Sequence, residues 1–207
     1  MWRLASLLLT TLSLTPPAGA QTLPPRDECG ANAEFARFRA DLLDIIVRRD
    51  RARLLAILSD DIWFSFGSEV GDHDFAAEWG LETPETSGLW TALANTLVLG
   101  CARDDGRMVS PYLFSRMPGA LDPYLSGVAR PGARLHTARS AEGDGAPISW
   151  AIIEEASDEA DGWSRVRLAD GRGGYVESGE VLRTLDYRAI FERRNGRWLM
   201  TAFIAGD

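Results

Sequence analysis

Apolar positions in the first half of the chain recur at helical spacing and then at strand spacing. Phe35, Phe38, Leu42, Ile45 and Ile46 fall on one stripe of a 3.6-residue period, which predicts an amphipathic helix facing a core, with Arg48 and Arg49 near its C-terminal end. Asp50 suits the N-cap of a second, short helix carrying Leu54, Leu55 and Leu58. Ile62, Phe64 and Phe66 alternate with Trp63 and Ser65 and predict a strand. Residues 67–86 carry a weak signal, with a helical turn through Phe75 and Trp79. Ser87 then caps a helix presenting Leu89, Trp90, Leu93 and Leu97, and Gly100 stands where a left-handed residue ends it. Asp104-Asp105-Gly106 predicts a turn, and Val109, Tyr112 and Phe114 a short strand interrupted by Pro111.

Pro118, Gly119 and Pro123 mark a change of texture, and a module boundary is expected near Asp122. From residue 127 to 182 the helical period gives way to short strands separated by Gly, Asp and Pro. Val128, Leu135, Thr137, Ile148, Trp150, Ile152, Val166, Leu168, Tyr175 and Val176 are the positions expected to fill a small barrel. The strongest local signal is Gly162-Trp163-Ser164-Arg165-Val166-Arg167-Leu168 joined through Asp170-Gly171 to Gly174-Tyr175-Val176. It reads as a hairpin with Ser164, Val166 and Leu168 on one face and Trp163, Arg165 and Arg167 on the other. Beyond residue 182, two further strand-like runs flank Asn195-Gly196, a strong type I′ turn signal.

These residues invite two resemblances. The segment 127–182 resembles a bacterial SH3-type (SH3b) domain through Ala138-Arg139-Ser140, Ala146-Pro147-Ile148 and above all the Gly162-Trp163 hairpin with Asp170-Gly171 and Gly174-Tyr175-Val176. The flanking segments loosely resemble an NTF2-like α+β domain, through the opening helices, the aromatic strand and the closing run Phe191-Glu192-Arg193-Arg194-Asn195-Gly196-Arg197-Trp198. The whole resembles a set of exported bacterial proteins with Ala205-Gly206-Asp207-like tails. The fold class expected is an α+β N-terminal domain completed by a C-terminal β-hairpin, with an inserted all-β SH3-like small barrel. The expected units are a signal peptide (1–20), a leader (21–29), the first part of the α+β domain (30–122), the barrel (127–182) and the completing hairpin (185–207).

The N-terminal twenty residues change this picture by naming a compartment. Arg3, an apolar run over residues 4–14 and Ala18-Gly19-Ala20 make a cleavable signal, cut after Ala20, which predicts a periplasmic or secreted protein with no membrane insertion after signal removal. In an oxidising compartment Cys29 and Cys101 are expected to pair, the alternative being two buried thiols. The formal net charge of −8 speaks against nucleic acid and anionic lipid, and all 22 basic residues are Arg.

Candidate chemistry is thin. Cys29, His73 and His136 stand in the chain order of a cell-wall cysteine peptidase, yet Cys29 sits beside a Pro-containing leader and has Cys101 as a partner. Asp72-His73-Asp74 lacks a spaced second ligand pair, and Asp60-Asp61, Glu154-Glu155, Glu177 and Glu180 read as surface charge. No catalytic residue, metal or cofactor is assigned. What remains is a ligand-binding face made of Trp163, Arg165, Arg167, Arg172 and Tyr175, whose aromatics and arginines suit a peptide or glycan bearing carboxylates. The other reading packs Trp163 and Tyr175 over the barrel ends and leaves the arginines solvated. The expected function is a non-enzymatic binding or adaptor protein contacting peptidoglycan or an envelope protein. The alternative is a small-molecule-binding or hydrolytic NTF2-like domain with a pocket at Trp63, Phe64, Phe66 and Trp90 and Asp60 or Asp61 as acid or base. The pattern sets no oligomeric state.

Overall fold

A computed structural model describes residues 21–66, 71–143, 145–158 and 160–206. The expected signal segment lies outside them, as do the side chains of Asp72 and His73. The fold is mixed α+β, built on two five-stranded sheets and a two-stranded pair.

The first sheet is assembled from both ends of the chain. After α1 (Ala33–Arg48) and α2 (Arg51–Leu55), β1 (Leu58–Trp63) runs parallel to β12 (Arg197–Ile204), which pairs with β11 (Arg188–Arg194). β3 (Arg107–Ser110) adds to β11 and β2 (Ala102–Asp104) forms the far edge. Asn32 and Asp50 accept N–H bonds from Phe35 and Arg53 at the starts of α1 and α2, so both helices begin where an Asx side chain can satisfy orphan donors. Phe35 and Phe191 pack with ring centroids 5.4 Å apart, joining the α1 stripe to the C-terminal hairpin in one core. Asn195 and Gly196 both take positive φ, as a type I′ turn demands.

Two local expectations are corrected. α2 ends at Leu55 and Leu58 opens β1, so the strand runs about a turn earlier than the Ile62, Phe64, Phe66 alternation implies; Leu58 and Ile62 point inward while Phe64 and Phe66 follow the strand. Parallel pairing with β12 selects that register, which short-range alternation cannot sense. Val109, Tyr112 and Phe114 do not share a strand: Pro111 has no N–H to continue the ladder, and the chain turns into α5 (Tyr112–Arg116). The helices between these strands are α3 (Asp72–Glu78) and α4 (Leu89–Val98), the latter started by Ser87, whose hydroxyl accepts from the Leu89 amide.

The second sheet runs β10 (Val181–Arg183), β4 (Gly127–Ala129), β7 (Ile152–Asp158), β8 (Trp163–Leu168), β9 (Gly173–Glu177), antiparallel throughout. β5 (Arg134–Leu135) and β6 (Ala146–Pro147) form a separate pair, tied to β9 by reciprocal backbone bonds of 2.8 Å between His136 and Tyr175. The strands thus stay an open array where a closed barrel was expected. Leu135, Ile148, Val166, Leu168 and Val176 fill its core, but Ile153 rather than Ile152 belongs to it, Thr137 is exposed, and Val128 faces the seam between the lobes with Leu113 and Leu182.

The leader forms no helix or strand of its own, yet it is tied down by backbone bonds. Leu23 donates to the Trp150 carbonyl and Gln21 accepts from Ile152, while Arg26 accepts from Cys101 and Glu28 donates back to it. Residues 21–28 therefore strap both lobes. The Cys29–Cys101 disulfide, closing 72 residues of sequence, pins the strap to β2 with Cα atoms 5.7 Å apart. Gly100 is required beside it: its φ is +83°, and a Cβ would lie 2.4 Å from the Arg26 carbonyl oxygen. Arg116 grips Glu28 and Arg39 grips Asp27, each as a forked pair. No helix among the described residues is long and apolar enough to cross a membrane.

Candidate ligand-binding cleft

Alternation along β8 buries Ser164, Val166 and Leu168 and turns Arg165 and Arg167 outward. Cross-strand register then builds two rows on that outer face: Ser157, Arg165 and Tyr175 in one, Glu155, Arg167 and Gly173 in the other. Between them opens a cleft of about 490 Å³, bounded by these residues and Thr137. Its depth comes from β9, where Gly173, opposite Arg167, places no side chain over the floor, while Gly174, opposite Val166, turns to the other face. The two glycines differ: a Cβ at Gly174 would lie 2.4 Å from the His136 carbonyl oxygen, whereas at Gly173 it would meet only the Val166 carbonyl at 3.6 Å.

The two cleft arginines carry different burdens. Arg167 binds the carboxylates of both Glu154 and Glu155, the latter at 3.2 Å. Arg165 has no carboxylate within ion-pair distance among the described residues, and it lies directly opposite Tyr175 across the strands. A guanidinium left unpaired beside an aromatic ring can receive a ligand carboxylate as a fork while the ring packs against the ligand body.

Of the five residues singled out in the sequence, the structure brings Arg165, Arg167 and Tyr175 together in the cleft. Trp163 shares their strand face but is buried, its ring edge-on to His136 at 5.5 Å. The β5/β6 pair is joined to that end of the sheet by the His136–Tyr175 bridge, and next to the pair a Cβ on Gly145 would lie 2.8 Å from the His136 ring. Arg172 sits at the β8/β9 turn, bonded to Asp170 at 2.8 Å. Desolvation pulls the Asp170 carboxyl upward, but the Arg172 amide and guanidinium prevail and hold it below the usual range. Ser157, Gly173 and Gly174 were not assigned to the binding face, Thr137 was expected in the barrel core and Glu155 as surface charge; the β7/β8 pairing that brings Glu155 and Ser157 to the cleft had no local signal.

The residues of the alternative pocket do not converge. Trp63 and Phe66 meet edge to face at 5.0 Å on the surface, Phe64 packs on Phe75 at 5.7 Å, and Trp90 is buried with its indole N–H donating to the Pro84 carbonyl. The Ser59 hydroxyl and Arg194 hold the Asp61 carboxyl below the ordinary range, the reverse of what a general acid needs. The disulfide also removes Cys29 as a nucleophile. No family model, curated protein or solved structure matches this chain.

Proposed function

We propose that this is an exported, non-enzymatic binding protein of the bacterial envelope, whose SH3-like β lobe holds a carboxylate-bearing peptide of peptidoglycan, or of an envelope protein, in the cleft between β7, β8 and β9. The observation that carries this reading is the unpaired Arg165 guanidinium opposite Tyr175 in a glycine-floored cleft. The SH3-like assignment draws support from the short antiparallel strands with the β5/β6 pair tied to β9, and export from the disulfide together with the signal-like N-terminus.

The test is sedimentation of the mature protein with purified peptidoglycan sacculi. Wild type is expected to bind saturably, and Arg165→Ala to lose at least tenfold in affinity with its fold intact by circular dichroism. Co-sedimentation no better than a control protein, with binding instead to a solubilised envelope protein fraction, shifts the ligand to the second source. Unchanged binding by Arg165→Ala removes the cleft from either reading.

A further inference from the structure

A second cavity, of about 530 Å³, lies away from the cleft, in the seam where the chain passes between the lobes. Its walls come from elements remote in sequence: Ala92 on α4, Leu99 after it, Leu113 on α5 and Leu182 on β10. The seam cluster of Leu113, Val128 and Leu182, with Leu23 of the strap packed on it, adjoins these walls, so the cavity rests on a packed base. Tyr187 closes one side, stacked on Phe203 at 5.0 Å and leaning on Trp79 at 5.4 Å.

Six polar side chains line this otherwise apolar surround: Thr91, Asn95 and Thr96 on α4, with Arg130, Arg183 and Asp186, of which Asn95, Arg130 and Asp186 are open to solvent at its mouth. The Asp186 carboxylate accepts the Arg183 backbone N–H at 2.9 Å and has no side-chain ion pair among the described residues. Arg130 donates its Nε to the Gly179 carbonyl at 2.9 Å, and its guanidinium likewise has no carboxylate within ion-pair distance. The charges of Arg183 and, less strongly, Arg130 reach Asp186, yet neither forms an ion pair with it among the described residues. Arg183 lines the cavity as well, and its guanidinium donates towards the Ala156 carbonyl at 3.5 Å. Opposite charges that share a cavity without touching leave a gap for a ligand carrying both complementary charges. Apolar walls with a few convergent polar groups at a junction of two lobes, in the range of roughly 300–1,000 Å³, are the usual form of a small-molecule site.

We propose that the seam cavity binds a small zwitterion with an apolar body, an apolar α-amino acid or short peptide with both ends free, its ammonium against Asp186 and its carboxylate against Arg130. The side chain of such a ligand lies against Ala92, Leu99 and Leu182. Asn95 offers an amide to whichever end approaches α4.

Calorimetry on the intact mature protein tests this, with L-leucine, L-phenylalanine and L-leucyl-L-leucine as probes alongside their N-acetyl and C-terminal amide derivatives. Saturable binding of at least one free form is expected, weakened tenfold or more by capping either end. Asp186→Asn should weaken the free form and leave the N-acetyl form unchanged, Arg130→Gln should do the same for the free form and the amide, and Arg165→Ala should change neither. Absence of saturable binding by all three free probes overturns the proposal, as does equal affinity for capped and free forms. Loss in Arg165→Ala alone assigns binding to the cleft and overturns the cavity site. The capped probes keep the test decisive if a variant fails to fold.

Discussion

Gly173 and Gly174 are neighbours in sequence with opposite obligations. Gly174→Ala drives a Cβ into the His136 carbonyl and the Leu135 side chain, at the bridge that holds the β5/β6 pair. It should cost about 2–3 kcal/mol of stability by denaturant titration, in the range of overpacked sites. Gly173→Val meets no such obstacle and fills the cleft instead; stability should change little while sacculus binding falls as far as in Arg165→Ala. A fall in stability equal to that of Gly174→Ala would show that the cleft floor is structural. Trp163→Ala separates packing from recognition in the same way. Its buried ring predicts a loss of about 3 kcal/mol, against less than about 0.5 kcal/mol for the exposed Arg165→Ala.

Among the elements, the strap is the one whose importance lies in what it joins. It reaches the second sheet at Ile152, the first sheet at Cys101, and α1 and α5 through Arg39 and Arg116. Removing the disulfide with Cys29→Ser and Cys101→Ser should lower stability by about 2–5 kcal/mol, read from the shift in denaturation midpoint relative to the oxidised protein. Acid should loosen the same element. Hydrogen bonds from Arg39 to Asp27 and from Arg116 to Glu28 are the largest influences on these carboxyls and hold both below their ordinary values. Their stabilisation is therefore complete above the unfolded-state values near 4 and is lost as pH falls through the lower folded ones. The melting temperature should drop below about pH 4, and Asp27→Asn with Glu28→Gln should flatten that acid limb. An unchanged limb would move the acid sensitivity elsewhere.

At the scale of the whole molecule, Asp186 runs the other way. Desolvation in the seam raises its carboxyl above the ordinary value, so its contribution to stability is present below the unfolded value and lost as pH rises through the folded one. Asp186→Asn keeps an acceptor for the Arg183 amide and removes the charge. That variant should be at least as stable as wild type at pH 7, with the difference vanishing below about pH 4 in paired thermal melts. Lower stability of Asp186→Asn at pH 7 would mean that the carboxylate is compensated within the seam.

Local chemistry was sufficient wherever one residue or one short period decides the outcome. The α1 stripe, the Asn195-Gly196 turn, the outward Arg165 and Arg167 and the Cys29–Cys101 pair were all legible, because capping, alternation and turn preference act over a few residues. The β1 register was not, since β12, far along the chain, sets it; the helix after Pro111 was read as a continuing strand, and between the two readings of Trp163 the packed one holds, its ring lying against His136. Both cavities belong to that second kind. The cleft was half visible as a strand face, but its glycine floor acquires meaning only once Tyr175 is bridged to His136. Arg130 and Asp186, 56 positions apart in numbering, line one cavity only because the seam brings their segments together. The sequence by itself determined the local elements; tertiary pairing decided which side chains share a surface, because proximity between distant segments is a property of the packed chain and of no single stretch within it.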